Sequence, residues 1–395
     1  MVAKKKSETS NIFGEFFSAQ MDAAKNSLGR SDRYIGSEAQ EVVIGLPFRA
    51  FSLRYLFQND CFPLSRMTEI YGPSGSCKTA LLFEIFKWHI DNKGGYVYNH
   101  TEARDTPDLR SSIIGYERDR NFPSTTCASV EDWQRAITSW LKKSNEMFPV
   151  KGSCPFPVAI GVDSLTGVTT ESDISDIWET GAASIGFAKS ANLINTYCKF
   201  MFNEIRVWPF SFIGVNHMKV GQDRRGFSFK KAPGGDALTY HSTIKICTEL
   251  RDKIEKLTES VRVVNIVMEK NSLSNAGENR QLLVNMKWGV DDNNVQHTVW
   301  DWHEATITAI NSMSPTKKTH VCKLLELENI DKSKKTADCG VVGLNKASWS
   351  EISQAIEAND EVRKALDHMV GIRRRRPFEL DTPYYDQMSS ACSES

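Results

Sequence analysis

The stretch that decides the fold of this chain is Gly72-Pro73-Ser74-Gly75-Ser76-Cys77-Lys78-Thr79. It follows an apolar run that ends at Tyr71 and precedes a run of helical composition that starts at Ala80. A loop of this kind between a strand and a helix is typical of a phosphate-binding P-loop, in which backbone N–H groups and the helix N-terminus face an anion. In such a loop Lys78 reaches the terminal phosphates, and the hydroxyl of Thr79 holds magnesium. The stretch therefore predicts a site for ATP and Mg²⁺.

The match to the P-loop pattern has one fault, because Cys77 stands where the pattern GxxxxGK[S/T] has its second glycine. Without that glycine, the relaxed pattern would occur by chance in about one chain in five of this length. A side chain at Cys77 must also point away from the phosphates, or it would crowd them. The surrounding sequence must decide whether the loop binds a nucleotide.

The composition is that of a globular protein with a substantial core. The chain has 395 residues, of which 40% are hydrophobic and 25% are charged, and its formal net charge is zero. No apolar run approaches the roughly 18 residues of a membrane span, and the N-terminus does not lead into a signal peptide. We therefore expect a cytoplasmic protein without a membrane partner. Attraction to a nucleic acid would have to come from local basic clusters.

The cysteines do not form a recognisable site. There are nine of them, scattered without a CxxC or Cys/His spacing. This pattern argues against both a disulfide framework and a structural zinc, so we expect reduced and mostly buried thiols.

Short apolar runs alternate with helical periodicity along the middle of the chain. Runs that are apolar at nearly every position and bounded by turn residues are typical of buried parallel strands. The predicted strands are residues 67–71, 95–99, 157–165 and 210–215, and the predicted helices are 79–92, 130–145 and 182–204. Consecutive strand-like runs follow at 244–250, 261–270 and 280–289. The alternation predicts an α/β core with a mainly parallel sheet and an antiparallel extension.

Changes in composition and in the spacing of apolar residues along the chain predict four regions. The core is expected at 41–304. The flanking regions are an N-terminal arm at 1–40, a small α-rich module at 305–376 that ends in a helix over 349–369, and a disordered tail at 377–395.

Two acidic residues follow predicted strands. Asp163 closes an apolar strand in the manner of a Walker B motif, whose aspartate holds the water shell of the magnesium ion. Glu102 follows another strand, where a carboxylate can orient and deprotonate the attacking water. The alternatives are a turn or helix cap for Asp163 and a solvated loop acid for Glu102.

A third strand ends at His217 and leads into a basic segment with interleaved aromatic residues. Cations and aromatic rings on a flexible backbone suit single-stranded nucleic acid, through phosphate neutralisation and base stacking. The alternative is a solvated basic loop. The candidate DNA-binding residues here are Lys219, Arg224, Arg225, Phe227, Phe229, Lys230 and Lys231.

The order of these motifs resembles that of the RecA-type homologous recombinases, which implies a RecA-like P-loop ATPase core. The likeness covers roughly residues 41–290 and is greatest to the UvsX-like bacteriophage branch, which also tolerates a non-glycine before the P-loop lysine. The segments that carry the resemblance are Thr68-Glu69-Ile70-Tyr71-Gly72-Pro73, the strand before Glu102, Val162-Asp163-Ser164, Val215-Asn216-His217 and Gly234-Gly235-Asp236-Ala237-Leu238.

The resemblance implies a role for each matching residue. Lys78 and Thr79 would contact phosphate and magnesium, Asp163 would act as Walker B, and Glu102 would be the catalytic base. His217 would replace a glutamine that senses the γ-phosphate. Residues 167–184, with Trp178, would form a first DNA-binding loop, and residues 218–233 a second. Lys270 would reach the nucleotide of a neighbouring subunit in a helical filament.

The chain departs from the family at several positions. The aromatic residue that stacks on adenine would fall near Leu109, so that stacking is lost or passes to Arg104 or Arg110. Arg373 to Arg376 end the module where the bacterial proteins have an acidic tail, and they suit either a solvated helix terminus or a contact to double-stranded DNA. Phe16-Phe17-Ser18-Ala19 contains an FxxA pattern, which suits either polymerisation or anchoring of the arm to its own core.

We therefore expect a DNA-dependent ATPase that forms helical filaments on single-stranded DNA and promotes homologous pairing and strand exchange in recombination and repair. Its expected partners are single- and double-stranded DNA, further copies of itself, and loader and single-strand-binding proteins. Its expected location is the nucleoid, or the phage replication compartment of an infected bacterium. The alternatives are a hexameric helicase with the same core and a nucleotide-gated DNA-coating filament without turnover.

Overall fold

The structure is a computed structural model. It describes residues 43–102, 107–150, 152–181, 188–222, 228–231, 237–255, 259–274, 280–290, 295–324, 327–329, 336–339, 347–380, 382, 384 and 386–388. The predicted arm at 1–40 lies outside these residues, as do Arg104, Arg224, Arg225, Phe227 and the Gly234-Gly235-Asp236 segment.

The described residues form α-helices and β-strands that alternate through the first half of the chain. The strands are β1 Ile44–Pro47, β2 Cys61–Pro63, β3 Met67–Gly72, β4 Gly95–His100, β5 Ser124–Thr126, β6 Val158–Asp163, β7 Phe210–His217, β8 Lys219–Gln222, β9 Ser228–Lys231, β10 Ile244–Glu255, β11 Glu259–Asn271, β12 Gln281–Val290, β13 Gln296–Trp300, β14 Leu327–Asn329, β15 Thr336–Cys339, β16 Ala347–Ser348 and β17 Arg376–Pro377. The helices are α1 Phe51–Phe57, α2 Lys78–Asp91, α3 Pro107–Ile114, α4 Tyr116–Asp119, α5 Val130–Met147, α6 Glu171–Thr180, α7 Ala188–Glu204, α8 Ala237–His241, α9 Thr306–Asn311, α10 Pro315–Leu324, α11 Trp349–Ala358 and α12 Asp360–Val370, with a 3₁₀ turn at Ile205–Val207.

One large mixed sheet organises the chain. Its strand order is β13-β12-β11-β10-β3-β7-β6-β4-β5. Neighbouring strands run parallel from β10 to β5, and antiparallel from β13 to β10. The prediction of an α/β fold with a mainly parallel sheet and an antiparallel extension is therefore confirmed. The carboxyl ends of β3, β4, β6 and β7 meet at one edge of this sheet.

The central strands are buried on both faces because helices cover both sides. All residues of β3, β4 and β6 are buried. On one side α2 lies close against the sheet, with the rings of Phe86 and Tyr96 stacked at 4.4 Å. A Cβ atom at Gly161 in β6 would lie 2.4 Å from Phe86 Cζ, so this glycine permits the close approach. On the other side Trp133 of α5 is fully buried. The N-terminus of α2 is thereby fixed at the carboxyl edge of the sheet.

The C-terminal helices pack on α1, and their buried side chains belong to the same hydrophobic core as those of α2. Arg54 of α1 is 2% exposed and forms ion pairs with Glu357 at 3.2 Å and with Asp367. The helix predicted over 349–369 is two helices, because the Asn359 side chain accepts hydrogen bonds from the backbone N–H groups of Glu361 and Val362 and starts α12.

The run Arg373 to Arg376 is largely engaged within the protein. Arg373 and Arg375 donate to the Leu273 carbonyl at 3.2 and 2.5 Å, and Arg376 pairs with Glu379 at 3.3 Å. Arg374 is exposed. These contacts favour a structural role for three of the four arginines over a contact with duplex DNA.

The first part of the segment predicted as a disordered tail is packed against the core, which corrects that prediction. Tyr384 is 1% exposed, and its hydroxyl lies 2.6 Å from Ser65 Oγ. Gln387 is fully buried and donates to the Glu379 carbonyl at 2.7 Å. The sequence signal was weak because these buried residues have no regular spacing.

None of the described helices has both the length and the apolar character that crossing a membrane requires.

Candidate functional site

The P-loop joins β3 to α2 and is held against β10. A Cβ atom at Gly72 would lie 2.3 Å from the Thr248 carbonyl oxygen, so only glycine fits where the strand ends. The hydroxyls of Ser76 and Thr248 lie 2.9 Å apart. Gly75 has a φ of +75° and adopts it without strain. The loop is therefore fixed both by its own backbone and by the sheet extension.

Cys77 occupies the glycine position of the pattern in a glycine-like conformation. Its φ is +64°, in the left-handed region, where a non-glycine residue is strained by about 1 kcal/mol. The side chain is buried, and its Sγ accepts from Arg262 Nη1 at 3.9 Å. Burial raises the pKa of the thiol, and Arg262 partly offsets this effect. The side chain is thus directed at the sheet extension.

Lys78 is the first residue of α2 and is almost fully buried. Its Nζ donates to the Pro73 carbonyl at 2.7 Å, which folds the ammonium group back over the loop. Burial lowers its pKa, while the nearby carboxylates of Asp163 and Glu102 act in the opposite direction. A poorly solvated cation beside a helix N-terminus is a favourable place for a phosphate group.

Thr79 and Asp163 form the candidate magnesium site. Thr79 Oγ1 donates to Asp163 Oδ2 at 2.6 Å. Burial raises the pKa of Asp163 to about 6, and the hydrogen bond from Thr79 lowers it. A hydroxyl and one carboxylate suit Mg²⁺, which keeps several waters and binds substrate phosphates. Within the described part of the chain, no group of three or more His, Cys, Asp or Glu side chains could hold a metal.

Glu102 and His217, predicted separately as base and sensor, are in direct contact. His217 Nε2 donates to Glu102 Oε1, and Ser164 Oγ donates to the same oxygen at 3.3 Å. The side chains of Glu102 and His217 are 33% and 38% exposed, so water reaches both. The His217 backbone N–H donates to Asn216 Oδ1 at 3.0 Å, which orients the end of β7.

Lys78, Thr79, Glu102, Asp163 and His217 line one cavity of about 550 Å³. Its second wall, which the sequence did not indicate, comes from the sheet extension. The lining residues are Ser74, Gly75, Ser76, Cys77, Lys78, Thr79, Ala80, Tyr98, His100, Glu102, Leu109, Asp163, His217, Lys253, Glu255, Ser260, Arg262, Met286 and Trp288. Gly72 and Pro73 lie at the base of the loop, outside this lining.

The second wall consists of two cross-strand rows. Arg262 lies opposite Lys253 on one side and Met286 on the other. In the next row, Ser260 lies between Glu255 and Trp288. Trp288 is 38% exposed. The period-2 pattern of β12 could have placed Met286 and Trp288 on one face, but which face meets the P-loop depends on the register.

Arg110 is not brought to the cavity. Its guanidinium pairs with Asp119 at 2.9 Å and donates to Ser124 Oγ at 3.3 Å. The prediction that it stacks on a base therefore finds no geometric support. Leu109, at the expected aromatic position, does line the cavity. An aromatic surface is supplied instead by Trp288.

Lys270 lies outside the lining of this cavity. Its ammonium donates to the carbonyls of Thr239 and Tyr240 at 2.8 and 3.3 Å. Its predicted role concerns the nucleotide of a neighbouring subunit, and stays a prediction.

The first candidate DNA-binding segment begins beside Glu102. A Cβ atom at Gly167 would lie 2.6 Å from Thr101 Oγ1 and 3.4 Å from Glu102 Cγ. The chain then forms α6, on which Trp178 is 85% exposed. The helix ends at Thr180 and is capped by Gly181, whose φ is +75°. A large aromatic ring is therefore presented to solvent on the helix that follows Gly167.

The second candidate segment leaves the same edge of the sheet. The Met218 N–H donates to the Gly72 carbonyl at 3.0 Å, which ties its start to the P-loop. The strands β8 and β9 then form an antiparallel pair. The side chains of Lys219, Phe229, Lys230 and Lys231 in these strands lie outside what the structure describes.

A buried carboxylate connects the end of β7 to α8, which follows the second segment. Glu69 is 1% exposed. It accepts from Asn216 Nδ2 at 3.4 Å and from Thr239 Oγ1 at 3.1 Å, with Lys245 Nζ 3.8 Å away. Burial raises the pKa of Glu69, and Lys245 opposes this effect. Asn216 also accepts from Thr166 Oγ1 at 2.8 Å. Residues that adjoin the two segments are therefore linked to the strand that carries His217, Thr166 directly and Thr239 through Glu69.

Comparison of the chain with models of known protein families finds no match, and comparison with curated proteins finds none either. What can be inferred about function therefore rests on the geometry of the site and the order of the motifs.

Proposed function

We propose that this protein is a RecA-type DNA-dependent ATPase that forms helical filaments on single-stranded DNA and promotes homologous pairing and strand exchange. The observation that carries the proposal is the contact between Glu102 and His217 beside the P-loop. From that contact, both candidate DNA-binding segments leave the sheet. The parallel order of β3, β7, β6 and β4 with an antiparallel extension is compatible with a RecA-like core.

The cavity supplies each part that a nucleoside triphosphate requires. The P-loop backbone and Lys78 would bind the phosphates, since both face an anion at the N-terminus of α2. Trp288 and Leu109 would hold the base between apolar surfaces. Thr79 and Asp163 would hold Mg²⁺, which neutralises charge that develops on the phosphate oxygens.

Glu102 and His217 would together catalyse hydrolysis of the γ-phosphate of ATP. Glu102 would accept the proton of a water whose oxygen attacks the γ-phosphorus, while the bond to the β-phosphate oxygen breaks and ADP leaves. His217 Nε2–H can donate to Glu102 or to a γ-phosphate oxygen. A bound γ-phosphate would therefore draw His217 away and free the carboxylate for water.

This change of hydrogen-bond partner by His217, from Glu102 to the γ-phosphate, would couple nucleotide binding to DNA binding. His217 is followed immediately by the strand pair β8–β9, and Thr166 precedes α6. Movement of His217 would shift both segments through Asn216. Trp178 would then stack on a base, a contact typically worth about 1–3 kcal/mol.

The test is phosphate release from ATP with and without single-stranded DNA, together with electron microscopy of the same samples. We expect DNA to stimulate release, Lys78→Ala to abolish it, and helical filaments to form. Lys87→Ala, on the same helix but outside the cavity lining, is the matched control and should behave as wild type.

Other outcomes would replace the proposal. Closed six-membered rings would favour a helicase. Filaments without phosphate release would favour a DNA-coating scaffold. Hydrolysis at the wild-type rate in Lys78→Ala would overturn the site itself.

A further inference from the structure

Two cations face each other on the second wall of the cavity. Lys253 and Arg262 are directly opposite residues of the antiparallel pair β10–β11, and both line the cavity. The ammonium of Lys253 is bound by Glu255, two residues along the same strand. Among the residues that the structure describes, Arg262 forms no ion pair, and its Nη1 donates only to the Cys77 thiol.

Glu255 offsets part of the repulsion between these two cations, because its carboxylate binds Lys253 and also interacts electrostatically with Arg262. What remains of the repulsion still favours a further anion beside Arg262. Like charges directly opposite each other in an antiparallel pair destabilise the sheet. Cys77 is moreover the N-cap of α2, so the guanidinium of Arg262 lies at the positive end of a helix, where cations are disfavoured. An anion placed between Arg262 and the helix N-terminus would relieve both repulsions.

We propose that Arg262 is a phosphate ligand supplied by the sheet extension of the same chain, so that the phosphates are held between the N-terminus of α2 and β11. The inference rests on the proposed function and identifies a further residue of its nucleotide site. A glycine at position 77 would let a phosphate approach the loop more closely than Cys77 does. The Cys77 thiol instead bonds to the guanidinium of Arg262, and this guanidinium provides a contact to the phosphate beside the loop.

The register also indicates which phosphates Arg262 contacts. The row that contains Arg262 adjoins the P-loop through Cys77, and the neighbouring row contains Trp288. If the base of a nucleotide lies on Trp288 and its terminal phosphate lies at Lys78, then Arg262 lies between them, beside the inner phosphates. Arg262 therefore binds the part of the phosphate chain that ADP and ATP share.

The experiment is calorimetric titration of the full-length protein with ADP and with ATP. Arg262→Gln should weaken the binding of both by about tenfold, which is roughly 1.4 kcal/mol, and by the same factor. Arg262→Lys should lose less, since it keeps the charge but not the fork of donors. In steady-state assays, KM for ATP should also rise in Arg262→Gln, as the weaker binding requires.

Arg251→Gln is the matched control. Arg251 lies on β10, is 54% exposed and pairs with Glu249, and it is absent from the cavity lining. Its replacement should leave both affinities unchanged.

Two results would overturn the assignment of Arg262. One is wild-type affinity in Arg262→Gln or, should that variant not fold, in Arg262→Met, which keeps most of the apolar stem and removes the charge. The other is a loss confined to ATP, which would place Arg262 at the terminal phosphate. If the wild-type protein binds neither nucleotide, the proposed function fails, and the inference with it.

Discussion

One wall of the cavity is built from consecutive residues, and the other is gathered from three neighbouring strands. The P-loop wall places Cys77, Lys78 and Thr79 through a single turn of chain. The second wall, called the extension wall below, places Arg262 and Trp288 through the register of β10, β11 and β12. In the proposed mechanism, the first wall holds the reacting groups together with Glu102, Asp163 and His217 from the neighbouring strand ends. The second wall holds groups that only bind. The two walls should therefore respond differently to substitution, the first in rate and the second in affinity.

The largest effect is expected for Glu102→Gln. Loss of a general base typically slows a reaction by about 10²–10⁴-fold, and the amide keeps the size of the side chain. Phosphate release should fall by that factor, while ATP affinity measured by calorimetry should stay within about threefold of wild type. Glu146→Gln, at an exposed acid of α5, is the control. A large loss of affinity with an unchanged rate would reverse the roles of the two walls.

The next effect is expected for Trp288→Ala. Removal of a stacking aromatic should raise KM for ATP by about 10–100-fold with little change in kcat, since base stacking is worth about 1–3 kcal/mol. Trp288→Phe should retain most of the affinity.

The second exposed tryptophan provides the reciprocal control. Trp178→Ala should weaken binding of single-stranded DNA and leave nucleotide affinity unchanged, as measured by titration with each ligand separately. A loss of nucleotide affinity in Trp178→Ala equal to that in Trp288→Ala would show that the extension wall has no special role.

The same contrast explains what the sequence could predict. Apolar runs with turn residues predicted the parallel strands, and parallel strands necessarily bring their carboxyl ends together. Glu102, Asp163 and His217 each follow or end such a strand, so their meeting was predictable from the order of the strands. Trp288 was not, because its face depends on pairing with β11 at a particular register.

Other differences have similar causes. The helix predicted over 349–369 divides at Asn359, whose capping bond competes with continuation of the helix. Tyr384 is buried with its hydroxyl beside Ser65, which is far away in the chain. Gln387 is buried in hydrogen bonds to Glu379 and Thr382, in a segment without the regular spacing that would reveal it. The carboxyl edge of the sheet was thus predictable from the order of the apolar runs, whereas the local cap at Asn359 and the distant contact of Tyr384 were not.

Glu357 lies in neither wall and is expected to affect the pH dependence of stability but not nucleotide affinity. Burial raises the pKa of Glu357 from 4.5 to about 7, and Arg54 opposes this effect. A raised pKa means that the stabilising contribution is complete below about pH 4.5 and is lost as the pH rises through about 7. Between pH 5 and pH 8, wild type should therefore lose on the order of 1–2 kcal/mol more stability than Glu357→Gln.

The measurement is urea unfolding at a series of pH values. Glu361→Gln, at an exposed acid of α12, should keep the wild-type profile. Nucleotide affinity should be the same in all three proteins, because Glu357 belongs to neither wall. Parallel stability profiles for wild type and Glu357→Gln would contradict the cost assigned to burying this carboxylate.

The smallest effect concerns Cys77, where the two walls touch. Cys77→Gly and Cys77→Ala both remove the thiol that bonds to Arg262, but only glycine adopts a φ of +64° without strain. The glycine variant should therefore be more stable than the alanine variant by about 1 kcal/mol in urea unfolding. The comparison between the two variants cancels the loss of the buried thiol, which each of them shares. If alanine is equal to or better than glycine, residue 77 does not hold the left-handed conformation, and the joint between the P-loop and the extension wall must be built differently.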